Sequence, residues 1–155
     1  MNSKIGYLSL SIFGIFLGCG QAVTGTYVGN EVVTLATGST QQVASTVSVT
    51  QNNNDVIVGT TESGIYGHGV LSGRPGGNVS DNFTLKAQYS GSALSTTVYC
   101  GTYIGKGIFT AQGFSVRLQL ATPAAIPLPR PTNYPNINAV TDICPSLRVI
   151  TVSKE

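Results

Sequence analysis

The stretch FSVRLQL, residues 114–120, decides the fold class because its residues alternate between apolar and polar at every step. In an extended chain successive side chains point to opposite faces. The phenylalanine, valine and leucines therefore share one face, and the serine, arginine and glutamine share the other. One apolar face and one solvated face are typical of a strand in an antiparallel sheet. The stretch predicts a half-buried strand that covers an apolar core.

Similar patterns predict strands along most of the remaining chain. The other predicted strands are residues 42–50, 55–61, 66–72, 83–89, 95–104 and 147–152. Turn-forming segments separate several of them, at residues 51–55, 73–78 and 90–92. Many short strands joined by tight turns predict an all-β fold. This is a small antiparallel up-and-down β-barrel or, as the alternative, a β-sandwich.

The composition agrees with a single all-β domain and excludes a nucleic-acid-binding surface. Of 155 residues, 41% are apolar, only 9% are charged and 19 are glycine. Glycine and β-branched residues disfavour helices and suit strands and turns. The net charge of +2 is too small, and the basic residues are too scattered, for a partner rich in phosphates. The domain is predicted at residues 25–155.

A ten-residue repeat links two distant parts of the chain. Residues 25–34, GTYVGNEVVT, align with residues 101–110, GTYIGKGIFT, and five of the ten positions are identical. Each copy is predicted to form a hairpin, with a tight turn at Gly29-Asn30 or at Gly105-Lys106. Two explanations stay open: duplication within a quasi-symmetric meander, or convergence on the same hairpin chemistry.

The Gly-Thr-Tyr at residues 25–27 resembles the first strand of lipocalin-like and avidin-like barrels, in which Gly-x-Trp or Gly-Thr-Trp is usual. The resemblance implies a small β-barrel. Tyrosine stands here in the place of that tryptophan, and the chain contains no tryptophan at all. The resemblance therefore does not extend to biotin binding, which in avidin-like proteins depends on several tryptophans.

The first 18 residues have the three-part layout of a signal peptide. Lys4 supplies a positive charge, residues 5–17 form an apolar run, and small residues follow. A helix formed by the apolar run of residues 5–17 rises about 20 Å, which is too short for the roughly 30 Å hydrocarbon core of a bilayer. Residues 1–18 are therefore predicted to be a signal peptide that directs export rather than a membrane span.

The end of this segment, FLGC at residues 16–19, resembles a bacterial lipobox. The resemblance implies a diacylglycerol with palmitate-type chains on Cys19 and a short tether at residues 19–24. Because Gly20 follows the cysteine, it also implies anchoring to the outer membrane. Phenylalanine and leucine stand where leucine and then alanine or serine are usual. The alternative is an ordinary cut after Ala22, which would release a periplasmic or secreted protein.

The cysteines agree with export. Once Cys19 is assigned to the anchor, Cys100 and Cys144 remain as a pair in a compartment where disulfides persist, which predicts a bridge between them. The alternative is two unpaired buried thiols. Five prolines within residues 122–136 predict an extended connection over the surface, because proline lacks the N–H that a central strand needs. The bridge would hold the following segment against the domain.

Residues that could carry chemistry are few. His68 is the one histidine, and the six acidic residues are dispersed. Neither a Cys100–His68 nucleophile and base pair nor paired carboxylates is predicted, and no catalytic residue, metal site or cofactor is expected. Binding is better supported, because aromatic and polar groups converge at the mouth of a small barrel. The candidate binding residues are Tyr27, Tyr66, His68, Arg74, Tyr99 and Tyr103. The alternative is that the tyrosines fill the core.

The sequence thus predicts a non-enzymatic envelope protein that a lipid anchors to the membrane. Its barrel would bind a small apolar ligand or an envelope protein. One alternative is a structural or adhesive surface lipoprotein without a ligand pocket. Another is a soluble secreted binder cleaved after Ala22. Nucleic acid is not expected as a partner in any of these.

Overall fold

The computed structural model describes residues 23–64, 66–88, 95–110, 112–125 and 139–155. These residues form eight strands: β1 (Gly25–Thr34), β2 (Thr40–Gln51), β3 (Ile57–Ser63), β4 (Gly67–Gly73), β5 (Asn78–Gln88), β6 (Ser95–Phe109), β7 (Gly113–Pro123) and β8 (Leu147–Lys154). A 3-10 turn, Val140–Asp142, precedes β8. Within these ranges no helix is long and apolar enough to cross a bilayer. The predicted signal peptide at residues 1–18 and the predicted anchor Cys19 lie outside the described residues.

The eight strands form one closed barrel. Each strand pairs antiparallel with the next along the chain, and β8 closes the ring by pairing with β1. The predicted up-and-down barrel is therefore confirmed, and the sandwich is not formed. The stretch FSVRLQL lies in β7, with Phe114, Val116 and Leu118 buried and with Ser115 and Arg117 exposed. Its alternation does mark a half-buried strand.

The two copies of the repeat do not fold as hairpins, and that prediction is wrong. The first copy lies wholly in β1, and the second runs along β6 to the end of that strand. Gly29 and Gly105 mark close approaches between strands instead of turns. A Cβ on Gly29 would collide with the carbonyl oxygen of Thr151, and one on Gly105 with that of Arg117. Glycine at these positions lets neighbouring backbones approach as the barrel closes.

The strands that carry the repeat run in opposite directions along the barrel axis, because direction alternates around an up-and-down barrel. Tyr27 and Tyr103, the tyrosines of the two copies, are both fully buried. Each donates its hydroxyl hydrogen to a carbonyl oxygen at 2.6 Å, Tyr27 to Val23 and Tyr103 to Pro145. Duplication of a half-barrel would place the copies on strands of the same direction. The geometry therefore favours convergence on one way to bury a tyrosine.

Gly105→Ala is expected to lower the free energy of unfolding by about 2–3 kcal/mol, because the added Cβ meets main-chain atoms that the closed ladder holds in place. Gly77→Ala is the matched control. Its Cβ would lie 3.3 Å from the Arg74 Cβ, in a turn with room to adjust. For this control we expect a change below about 0.5 kcal/mol. Urea unfolding followed by circular dichroism measures both losses, and equal losses would contradict the close approach at Gly105.

The strand directions define two ends of the barrel. The N-terminal end carries residues 23–24, the β2–β3 and β4–β5 turns and the end of β8. The capped end carries the β1–β2 and β3–β4 turns and residues 139–146. The predicted disulfide is confirmed at the capped end, where the Cα atoms of Cys100 and Cys144 lie 5.7 Å apart. Val140 and Cys144 are buried there, so this segment covers one end of the barrel.

The proline-rich connection begins later than predicted. Pro123 still belongs to β7, in register with Gly101 of β6. On its other side β7 pairs with β8 only as far as Gln119, so the missing N–H of Pro123 breaks no ladder. The predicted connection from residue 126 to residue 136 lies outside the described residues.

Candidate functional site

Among the described residues, six polar ones are buried inside the barrel, and we call them the inner polar cluster: Glu31, Ser45, Thr61, Ser63, Asp81 and Arg148. They come from β1, β2, β3, β5 and β8. All occupy inward positions, where apolar residues are expected. Burying charges is unfavourable unless each is paired and hydrogen-bonded. The contacts of the charged members therefore decide whether the cluster is stable.

Arg148 reaches across the lumen from β8 and holds the cluster together. Its Nε donates to Glu31 Oε1 on β1 at 2.5 Å, and its Nη1 donates to Asp81 Oδ2 on β5 at 2.6 Å. Its Nη2 donates to the Ser63 hydroxyl on β3 at 3.4 Å. The guanidinium also lies 3.7 Å from the centre of the Phe83 ring, a cation–π geometry. One side chain thus links four strands and occupies the lumen at this level.

Hydroxyl groups complete part of the environment of the two carboxylates. Ser63 donates to Glu31 Oε2, and Thr61 donates to Asp81 Oδ2 at 2.8 Å. Asp81 Oδ1 and the Ser45 hydroxyl have no hydrogen-bond partner among the described residues. With both carboxylates ionised, the cluster carries one more negative charge than positive. The guanidinium is therefore essential to the burial of these acids.

Burial and neighbouring charges set the protonation of the cluster. Burial lowers the pKa of Arg148, but the Glu31 and Asp81 carboxylates together raise it by more, so the pKa lies above its ordinary value. Burial raises the pKa of Tyr103, whose ring centre is 5.3 Å from the guanidinium. Arg148 opposes that rise, and the two carboxylates add to it. The Tyr103 hydroxyl therefore stays neutral and remains a donor to the Pro145 carbonyl.

The protein is expected to lose stability above about pH 10, because an unfolded tyrosine ionises there while folded Tyr103 keeps its proton. Below that pH both states hold the proton and nothing is lost. Tyr103→Phe should flatten the alkaline loss, although at about pH 8 it should cost about 1–2 kcal/mol through the lost hydrogen bond to Pro145. Urea unfolding at about pH 8 and about pH 11 measures both effects. The control is Tyr99→Phe on the outer wall, and an unchanged alkaline slope in Tyr103→Phe would contradict the assignment.

Two of the six candidate binding residues, Tyr27 and Tyr103, lie in the lumen. The Tyr27 ring packs edge-on against Phe114 with 5.8 Å between ring centres, and the Tyr103 ring packs edge-on against Phe83 at 5.9 Å. Phe109 in turn stacks on Phe114 at 4.5 Å. These two tyrosines are core residues, which is the alternative that the sequence leaves open.

The other four candidates lie at separate places on the barrel. Tyr66 is half-buried at the capped end, and Arg74 is exposed in the β4–β5 turn at the N-terminal end. His68 lies on the outer wall of β4, in register with outward positions of its neighbours. Tyr99 lies on the outer wall of β6 and is 49% exposed. The barrel therefore does not bring the six candidates together at one mouth.

Cys100 and His68, the pair considered for catalysis, are separated by the barrel wall. The Cys100 sulfur is bonded to Cys144 inside the barrel, whereas His68 faces outwards, so no nucleophile and base pair forms between Cys100 and His68. Across the described ranges, no group of three or more His, Cys, Asp or Glu side chains is placed to hold a metal ion.

Exposed apolar side chains lie on the outer wall of β3–β6. We call Val58, Val70, Asn82, Tyr99 and Ile104 the outer strip. The two valines are 53% and 57% exposed, and the isoleucine is 46% exposed. Val70 is in register with Asn82, whose Oδ1 accepts a hydrogen bond from the Tyr99 hydroxyl at 3.2 Å. The strip therefore combines aliphatic, aromatic and amide groups and carries no charge.

The sequence predictions include neither the inner polar cluster nor the outer strip, although each has a signal in the sequence. Glu31, Asp81 and Arg148 fall at the apolar positions of alternating stretches, where a charged residue must be buried and paired. Val58 and Val70 each directly adjoin another apolar residue. In a strand, one of two consecutive apolar residues faces outwards.

Comparison of the chain with protein-family models, with curated proteins and with solved structures finds no match. Of what the resemblance of residues 25–27 to lipocalin-like and avidin-like first strands implies, the structure shows the small β-barrel.

Proposed function

We propose that this chain is a non-enzymatic bacterial envelope protein that a lipid on Cys19 holds to the outer membrane and that binds another protein on its outer wall. The observation that carries the proposal is Arg148, which is fully buried and bonded across the lumen. A small apolar ligand bound in the lumen at the level of Arg148 would have to displace the guanidinium from two carboxylates. Buried carboxylates without a partner are strongly destabilising, which favours the outer wall as the binding surface.

Side chains also occupy the lumen nearer the N-terminal end. Tyr27, Phe109 and Phe114 form a continuous group of stacked and edge-on rings. Val47 and Val152 belong to the same buried core. Small eight-stranded barrels are often just wide enough for side chains to fill them. Both halves of the lumen thus support a surface-binding or adhesive role over capture of a small apolar ligand.

The outer strip has the chemistry of a protein-binding surface. Tyrosine is enriched at protein interfaces and charged residues are depleted from their centres. The strip offers Tyr99 together with aliphatic side chains. The Ser72 and Ser80 hydroxyls lie 3.0 Å apart, on the two strands that separate Val58 from Ile104. Neutral groups with exposed donors and acceptors suit contact with another folded protein. We therefore propose a protein partner at the strip.

A photoreactive amino acid at position 70 tests the partner in the native cells. We expect one defined cross-linked protein from this position and none from position 32, an exposed valine of β1 on the other side of the barrel. Val70→Asp should then weaken binding of that protein at least tenfold, and Val32→Asp should leave it unchanged. Equal cross-linking from the two positions would contradict the strip. A stoichiometric small molecule retained by the purified barrel would contradict an occupied lumen.

The intact mass of the protein from native membranes tests the lipid anchor. We expect a chain that begins at Cys19 and carries acyl chains, and we expect Cys19→Ser to lose both the acyl mass and the membrane. A soluble chain that begins at Val23 would contradict the lipid anchor and support the alternative cut after Ala22. An uncleaved N-terminus would contradict export.

A further inference from the structure

The barrel fixes the end from which an N-terminal tether leaves. The Val23 N–H donates to Gln51 Oε1, and the Gln51 N–H donates to the Thr24 hydroxyl, both at 2.9 Å. Lys154 Nζ donates to the Thr24 carbonyl oxygen at 3.0 Å. The first described residues are thus bound to the ends of β2 and β8. Whatever precedes Val23 is attached at the N-terminal end, away from the disulfide and the capped end.

Four exposed cations in the described part of the chain lie at or near this same end, and we call them the basic arc: Arg74, Lys106, Arg117 and Lys154. They occupy the β4–β5 turn, the end of β8, and positions on β6 and β7 within five residues of the turn that joins these two strands. The other exposed cation of the described ranges is Lys86, in the half of β5 nearer the capped end. Its Nζ lies 4.0 Å from a carboxylate oxygen of Glu62.

The two central cations of the arc are placed unfavourably for the isolated barrel. Lys106 and Arg117 are direct partners across β6 and β7. Like charges in this arrangement destabilise a sheet. Among the described residues, neither forms an ion pair with an acid. Asp55, an acid at this end, accepts a hydrogen bond from Gln51 Nε2 at 3.0 Å within its own turn. An external anionic surface would offset the repulsion.

We propose that the basic arc binds the anionic lipid headgroups of the membrane that holds the chain, an inference that rests on the proposed lipid at Cys19. The four residues from Cys19 to Val23 span at most about 14 Å when fully extended. The N-terminal end therefore faces the bilayer, whose surface charge acts over roughly 10 Å. The barrel stands on the membrane with its capped end outward and its outer strip to the side.

The size of the effect follows from the number of cations. Each basic residue close to an anionic bilayer strengthens binding roughly fivefold. Removing both Lys106 and Arg117 should therefore weaken binding roughly 25-fold. Because the contact is electrostatic and exposed, salt should weaken it as well. An acyl chain inserted in the bilayer is not sensitive to salt in this way.

Tryptophan reporters test the orientation, because the chain has no tryptophan of its own. N53W places one in the β2–β3 turn at the N-terminal end, and T37W places one in the β1–β2 turn at the capped end. The lipidated chain is inserted into phosphatidylcholine vesicles, with or without phosphatidylglycerol, that contain a headgroup-labelled quenching lipid. With phosphatidylglycerol we expect at least twice as much quenching of N53W as of T37W. In N53W, Lys106→Gln with Arg117→Gln should remove the excess, and the control Lys86→Gln should keep it.

Cosedimentation of the Cys19→Ser chain with the same vesicles separates the arc from the anchor. We expect binding that needs phosphatidylglycerol, falls roughly 25-fold in Lys106→Gln with Arg117→Gln, and is kept in Lys86→Gln. An equal loss of vesicle binding in the double variant and in Lys86→Gln would overturn the proposal that the basic arc binds headgroups. Equal binding to neutral vesicles would do the same. Neither result would bear on the lipid anchor. Binding of inorganic polyphosphate as tight as that of the vesicles would overturn it in favour of a soluble polyanion. A native protein that carries no acyl mass, together with the expected cosedimentation, would overturn the lipid anchor alone.

Discussion

Arg148→Met is expected to unfold the protein or to lower its free energy of unfolding by about 3–5 kcal/mol. The substitution leaves the Glu31 and Asp81 carboxylates fully buried without the guanidinium that both contact. It also removes the planar group that lies over the Phe83 ring. Urea unfolding followed by circular dichroism measures the loss. Arg117→Met on the outer wall is the matched control, and we expect it to change stability by less than about 0.5 kcal/mol.

A charge-free variant keeps this prediction testable when Arg148→Met alone does not fold. Glu31→Gln with Asp81→Asn and Arg148→Met removes all three charges and nearly preserves the side-chain volumes. Replacement of a buried ion pair by neutral groups is often close to neutral for stability, so we expect the triple variant to recover most of the loss. A triple variant less stable than Arg148→Met would contradict the view that the uncompensated carboxylates cause the loss. So would an Arg148→Met variant as stable as the Arg117 control.

The barrel could be predicted from the sequence because strand alternation is a local signal. Each pair of neighbouring residues in β7 shows which side faces inwards, and the same rule applies to stretches such as residues 42–50. Many such strands joined by short turns predict a barrel with a sandwich as the alternative, and the pairing of β1 with β8 decides for the barrel. The disulfide could also be predicted, since Cys100 and Cys144 are the pair left over in a chain that the sequence predicts to be exported. These inferences need no knowledge of which strands meet across the lumen.

The inner polar cluster could not be assembled from the sequence, because its members meet only after closure. Glu31 is 117 residues from Arg148, and Asp81 is 67 residues from it. No spacing rule relates residues on strands β1, β5 and β8.

The glycines of the repeat pose a different problem. A glycine that makes room for a neighbouring strand, such as Gly29, has the same sequence context as one that forms a turn.

Removal of the disulfide, by Cys100→Ala with Cys144→Ala, is expected to lower the free energy of unfolding by about 4 kcal/mol. This is the chain-entropy value for a loop of 44 residues, which the bridge closes between β6 and the segment before β8. Urea unfolding of the double variant measures the loss. Wild type under reducing conditions gives the same comparison without substitution. A loss below about 1 kcal/mol would contradict a bridge that restrains this long connection.

The same substitution should also loosen the capped end before the rest of the barrel unfolds. Without the bridge, the cap is held by the Tyr103 hydroxyl on Pro145 and by backbone bonds such as the Ser146 N–H to the Thr34 carbonyl at 2.8 Å. Hydrogen exchange at the Ser146 amide should therefore accelerate, and Tyr103→Phe added to the double variant should accelerate it further. If the Ser146 amide exchanges as slowly as in wild type while global stability falls, the bridge acts only on the unfolded chain. The cap would then be held by its own contacts, and the disulfide would have no part in closing this end of the barrel.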